Sequence, residues 1–140
     1  CGIIGNEVLS STLAGEIILL KNYDFYTYEA KYQDESAIRV EIPAQIPTAV
    51  HQQIRALCEK AFLTLKCNDF ARVDVFLTQE NEIFINEINT IPGFTDASMF
   101  PGLWENMGIF YPELISKIIE IGEARWQQEQ QYITDLNSSN

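Results

Sequence analysis

Two runs decide the fold: Phe70-Ala71-Arg72-Val73-Asp74-Val75-Phe76-Leu77-Thr78 and Glu82-Ile83-Phe84-Ile85-Asn86-Glu87-Ile88. Both are rich in β-branched and aromatic residues, and they meet at Glu80-Asn81, a spacing short enough for a two-residue hairpin turn. Side chains on a strand alternate, so Ala71, Val73, Val75 and Leu77 point one way and Arg72, Asp74 and Phe76 the other. On the second strand Ile83, Ile85, Glu87 and Asn89 are expected to share a face. With Gln79 paired to Glu82, every pair sums to one index, which sets Asp74 opposite Glu87 and Arg72 opposite Asn89. Facing carboxylates repel unless something positive lies between them. A divalent cation held by Asp74, Glu87 and the amide oxygen of Asn89 is one answer, a hard-oxygen set suited to Mg²⁺. A solvated face on which Arg72 neutralises its neighbours is the other, and spacing alone leaves both open.

Upstream of the hairpin, Val50, Ile54, Leu57, Cys58, Ala61, Phe62 and Leu65 fall at helical intervals and predict an amphipathic helix over Thr48 to Lys66, with Thr48 as N-cap. His51 falls near its start, on the side read as polar, and is expected at the surface; Cys58 is expected in the core. Farther upstream, Ile3-Ile4, Val8-Leu9 and the Ile17 to Leu20 run predict short strands in a small meander. Aromatic and polar residues alternate from Tyr23 to Tyr32, and the polar Gln33-Asp34-Glu35-Ser36 insert reads as a mobile loop.

Downstream, Asn89 to Gly108 holds Pro92-Gly93 and Pro101-Gly102 with little periodicity and reads as a long irregular loop, which in a small domain is more often functional than accidental. Pro112, Leu114, Ile115, Ile118 and Ile119 predict a second main helix. Beyond Trp126 the composition turns polar. The expected division is therefore a folded domain over residues 1–126 and a frayed or disordered tail over 127–140.

The 140 residues carry 9 Lys and Arg against 20 Asp and Glu, a formal charge of -11 that disfavours nucleic acid and anionic membrane surfaces as partners. Cys1, Cys58 and Cys67 lack metal-ligand spacing and form an odd set, which fits a reducing cytoplasm. No apolar run is long enough to span a bilayer. The opening Cys1-Gly2-Ile3-Ile4-Gly5 reads like the inside of a strand, as though the chain were part of something longer.

The strings Ala71 to Leu77, Phe84-Ile85-Asn86-Glu87-Ile88-Asn89-Thr90-Ile91-Pro92-Gly93-Phe94-Thr95 and Ser98-Met99-Phe100-Pro101, with Tyr28-Glu29-Ala30-Lys31-Tyr32 upstream, together resemble the D-alanine–D-alanine ligases of the ATP-grasp superfamily. The resemblance implies an α+β fold, the ATP-grasp C-terminal subdomain, in which two main helices pack an antiparallel sheet. It implies that Asp74, Glu87 and Asn89 bind two Mg²⁺ ions, Mn²⁺ being an alternative, with Glu87 bridging them. Lys31 would reach the ATP phosphates. Arg72 and the backbone N–H of Gly93 would stabilise the tetrahedral intermediate. Ser98 and the N–H of Met99 would hold the carboxylate of the second D-alanine, and Tyr32 would close over the substrates.

The implied reaction phosphorylates one D-alanine carboxylate and lets the amine of a second displace phosphate, supplying a peptidoglycan precursor. The family's first-substrate domain and central domain, with its glycine-rich phosphate loop, have no counterpart in this sequence. The chain is therefore expected to be a C-terminal portion, inactive alone; the family's dimers make a homodimer one expectation for the parent protein. Another ATP-grasp carboxylate–amine ligase, or a non-catalytic free-standing remnant, are the alternatives.

Overall fold

The computed structural model describes residues 1–19, 38–95 and 98–138. In chain order these form β1 (Gly2–Gly5), β2 (Leu9–Ser11), β3 (Glu16–Leu19), β4 (Ile38–Glu41), α1 (Thr48–Thr64), β5 (Phe70–Leu77), β6 (Ile83–Asn89), α2 (Met99–Asn106) and α3 (Tyr111–Ser138). The stretch from Tyr23 to Ser36, with Lys31 and Tyr32, lies outside the described residues.

The main sheet has the order β2-β1-β5-β6 and every pairing in it is antiparallel. The first three strands are thus not a meander. β1 takes the interior place between β2 and β5, while β3 leaves to pair with β4 in a separate two-stranded sheet. Interior position explains the unbroken burial of Gly2 to Gly5, since such a strand is covered on both faces.

One face of the sheet carries Ile3, Ala71 and Val73, with Val75, Leu77, Ile83 and Ile88 at its margin, and packs on Val50, Ile54, Cys58 and Phe62 of α1. Those four helix residues recur every fourth position, the stripe an amphipathic helix buries. The helix stops at Thr64, its N-cap is Pro47 rather than Thr48, and Leu65, read as part of the apolar stripe, is exposed. Lys66 then turns left-handed with φ 54.

His51 is buried, contrary to its reading as a surface residue. Its Nδ1 accepts the N–H of Ala14 at 3.2 Å, and its Nε2 lies 3.1 Å from the Ala44 carbonyl. Ala44 N–H in turn donates to the Ala14 carbonyl at 2.8 Å, so the imidazole pins the segment before β3 to the segment before α1.

On the opposite face Ile4, Phe100, Trp104 and Leu114 form a second core, joined by Phe70 and Phe94. α2 lies inside the stretch read as irregular. Pro101 does not break it because it falls in the first turn, where backbone N–H groups have no partner within the helix. α3 continues through Gln127 to Gln131, where the composition had suggested fraying; long unbranched Gln and Glu side chains are good helix formers, and Arg125 pairs with Glu129 one turn on. Among the described residues no helix is long and apolar enough to cross a membrane.

Candidate functional site

Among the described residues, helices cover the second face of the sheet at one end. Helices α2 and α3 occupy the end at Ile4 and Phe70, and along β5 and β6 the same face continues as Arg72, Asp74 and Phe76 opposite Asn89, Glu87 and Phe84. Phe76 and Phe84 remain exposed, an aromatic pair beside the carboxylates that sequence reading did not single out.

The pairs Arg72↔Asn89 and Asp74↔Glu87 are those predicted, yet the hairpin reaches them by a different route. The turn has three residues, Gln79-Glu80-Asn81, closed by Asn81 N–H to the Thr78 carbonyl at 3.0 Å and Thr78 N–H to the Glu82 carbonyl at 2.9 Å. Asn81 supplies the left-handed position such a turn needs, with φ 65. From Leu77↔Ile83 to Val75↔Ile85 the register is therefore offset by one, and a bulge between Asp74 and Val75 restores it. The bulge also corrects the facing: Ile83 and Ile85 stand opposite core-side Leu77 and Val75, while Glu87 and Asn89 stand with Asp74 and Arg72 on the other face.

Arg72 grips Asp74 in a two-pronged ion pair, Nε to Oδ1 at 2.7 Å and Nη2 to Oδ2 at 2.8 Å. Both side chains are largely shielded, so the pair is less screened than one at the surface. Arg72 thus neutralises a neighbour, as one of the two sequence readings required. No group of three or more His, Cys, Asp and Glu gathers among the described residues. The hard-oxygen donors set together here are two facing carboxylates and one amide, the kind of set that suits a Mg²⁺ ion completing its shell with water or phosphate oxygens.

Gly93, Ser98 and Met99 come together just beyond β6. A Cβ on Gly93 would lie 2.7 Å from the Ser98 hydroxyl, so glycine is what allows that hydroxyl against the backbone. Ser98 Oγ accepts the Thr95 N–H at 3.0 Å and Ser98 N–H donates to the Thr95 carbonyl at 2.9 Å. Ser98 is the N-cap residue of α2 but does not cap it with its side chain, and Met99 opens the helix. The positive end of a helix dipole therefore lies beside the Ser98 hydroxyl, an arrangement suited to a carboxylate.

Phe94 holds this loop in place, a role sequence reading missed. Its ring lies 5.7 Å from Phe70 and 5.3 Å from Phe100, and its carbonyl accepts the Tyr111 hydroxyl at 2.7 Å. Phe70 is two residues before Arg72 on the same face, so the loop is anchored to the strand that carries the charges. The aromatic residues recurring at 70, 94, 100 and 111 were the available signal. A separate cavity of about 380 Å³ lies between the β1–β2 turn and α3, lined in part by Glu7, Lys117 and Arg125. Its cations already pair with Glu113, Asp69 and Glu129.

The family profile described as D-ala D-ala ligase C-terminus matches residues 1–120. A D-alanine–D-alanine ligase of Oceanobacillus iheyensis is 50% identical over 131 residues, which is 94% of this chain and 35% of that protein. The D-alanine–D-alanine ligase structure from Coxiella burnetii superposes with a TM-score of 0.82 at 32% identity, covering 100% of this chain and 36% of that one. The Bacillus anthracis D-alanine–D-alanine ligase complexed with ATP superposes with a TM-score of 0.73 at 27% identity, covering 92% and 40%. The chain spans about a third of the length of the curated relatives it matches.

Proposed function

The chain belongs to the D-alanine–D-alanine ligase family, as its C-terminal domain, and from that membership we propose that it carries the metal and acceptor sites of an ATP-dependent carboxylate–amine ligase that joins two D-alanines for peptidoglycan synthesis in the cytoplasm. The observation that carries the reading is the facing pair Asp74 and Glu87, with Arg72 and Asn89 the next pair on the same sheet face.

Asp74, Glu87 and Asn89 are the residues that would hold two Mg²⁺ ions, Glu87 serving both. Bound there, the ions supply charge neutralisation at ATP phosphates. Arg72 would offer its guanidinium, and Gly93 its backbone N–H, to the oxygen that gains charge when an amine attacks an acyl phosphate. Ser98 and the first amide of α2, at Met99, would receive the acceptor's carboxylate. The Thr95 contact already fixes where that hydroxyl sits. Lys31 at the phosphates and Tyr32 over the substrates complete the proposed set. The glycine-rich phosphate loop and the first-substrate site would come from the other two thirds of the relatives' length. Within this chain, residues 1–126 are proposed as the domain proper and 127–140 as an appendage to it.

The test is a chimera in which this chain replaces the matching C-terminal third of a D-alanine–D-alanine ligase, assayed for ADP release. The proposal expects release stimulated by D-alanine above other amino acids, and none from the chain alone. Turnover by the chain alone, or a folded chimera indifferent to D-alanine, overturns it.

A further inference from the structure

The Arg72 fork closes on the very carboxylate assigned to a cation, and we propose that it is a latch: without a cation Asp74 holds Arg72, and uptake of a divalent cation by Asp74 and Glu87 opens the fork and withdraws Asp74 from the guanidinium. This rests on the reading of Asp74 and Glu87 as cation ligands.

The geometry makes the two partners rivals. Nε and Nη2 of Arg72 engage both oxygens of Asp74, at 2.7 and 2.8 Å, so neither oxygen is reached by a cation without sharing it. The guanidinium cannot shed its proton, and a divalent cation on either oxygen would stand a few ångströms from that charge. Arg72 and Asp74 are two residues apart on one strand and share a face, so the fork is built into β5. Glu87 faces Asp74 directly, so a cation held by both carboxylates would compete with the arginine for Asp74.

An order of events follows. While forked, Arg72 has its charge compensated and offers little to a developing oxyanion. With a cation on Asp74, that carboxylate would no longer hold the guanidinium, which lies on the face where Asn89 is its cross-strand neighbour. Arg72 would thus be offered to the oxyanion only with the metal in place.

The experiment titrates the chain with Mn²⁺, following free ion by electron paramagnetic resonance, for the wild type, Arg72→Ala, Arg72→Lys, Asp74→Asn and the Arg72→Ala/Asp74→Asn double variant. If the fork competes, Arg72→Ala binds Mn²⁺ about fivefold or more tightly than wild type, a partly shielded ion pair being worth about a factor of that size. Arg72→Lys falls between them, and the gain vanishes when Asp74 is also changed. A folded Arg72→Ala chain that binds Mn²⁺ equally or more weakly overturns the latch. Should that variant fail to fold, the Arg72 Nε–H resonance of the wild type decides: a shift on Mg²⁺ addition supports release, and no shift at saturation overturns it. Mn²⁺ binding that is the same with and without Asp74 overturns the cation reading itself, a different failure.

Discussion

Asp69 and Arg125 join the start of β5 to the middle of α3 through a fork of their own, Arg125 Nε to Oδ1 at 3.0 Å and Nη2 to Oδ2 at 2.8 Å. Asp69 also receives Asn6 at its carboxylate, donates its N–H to the Asn6 side chain and gives its carbonyl to Gly5 N–H. The strand that bears Arg72 and Asp74 is thereby fixed at its origin from two sides.

The hydrogen bond from Arg125 is the main cause holding the Asp69 carboxyl below its ordinary range. A folded value below the unfolded one, which is about 3.9, means the stabilisation is complete above that pH and is lost as pH falls through the folded value. Asp69→Asn keeps the left-handed backbone at φ 68, which asparagine tolerates. It should cost about 1–2 kcal/mol at pH 7, with a gap to wild type that narrows below about pH 4. Urea unfolding across that range checks both.

Gly93→Ala should destabilise by about 1–3 kcal/mol, because its Cβ meets the Ser98 hydroxyl and overpacked sites must shift. Removing the hydroxyl should relieve much of this. A double-mutant cycle of Gly93→Ala with Ser98→Ala is therefore expected to show coupling of about 1 kcal/mol, and additive effects would mean the two residues do not crowd each other.

Cys58 is completely buried, and burial pushes its thiol up to about 11. The folded value lies above the unfolded one of about 8.5, so the stabilisation is full below that pH and is lost as pH rises toward about 11. An aromatic disulfide reagent at pH 8 should modify Cys58 at a rate set by unfolding, whereas half-buried Cys67 should react sooner. Cys58→Ala should cost about 1 kcal/mol at pH 7 and lose the share of the alkaline sensitivity that Cys58 contributes.

Much of this arrangement was legible in the sequence because it rests on local periodicity. The helical stripe of α1 and the inward face of β5 follow from residue spacing, and so does the placing of Asp74 against Glu87. That last pairing was reached through two one-residue differences that cancel: the turn is one residue longer than read, and the bulge after Asp74 takes the extra residue up. Neither leaves a clear local mark, since Asn81 adopts its left-handed turn without a following glycine. The place of β1 beside β5 was not readable, because Ile3 and Ala71 are brought together only by the folded sheet. His51 was misread for a similar reason: its partners, Ala14 and Ala44, come from segments that approach α1 only in the tertiary structure.

Glu87 is the residue shared by the whole proposed cation site, and the direct measurement is the D-alanyl-D-alanine formed by the chimera carrying this chain, compared with its Glu87→Gln counterpart. Glutamine keeps the size and removes the charge, so the unchanged chimera should form dipeptide and the variant should lose about 10²-fold or more in kcat. Equal dipeptide yield from the two, both folded and both binding ATP, would contradict the assignment of Asp74 and Glu87 as the centre of the site.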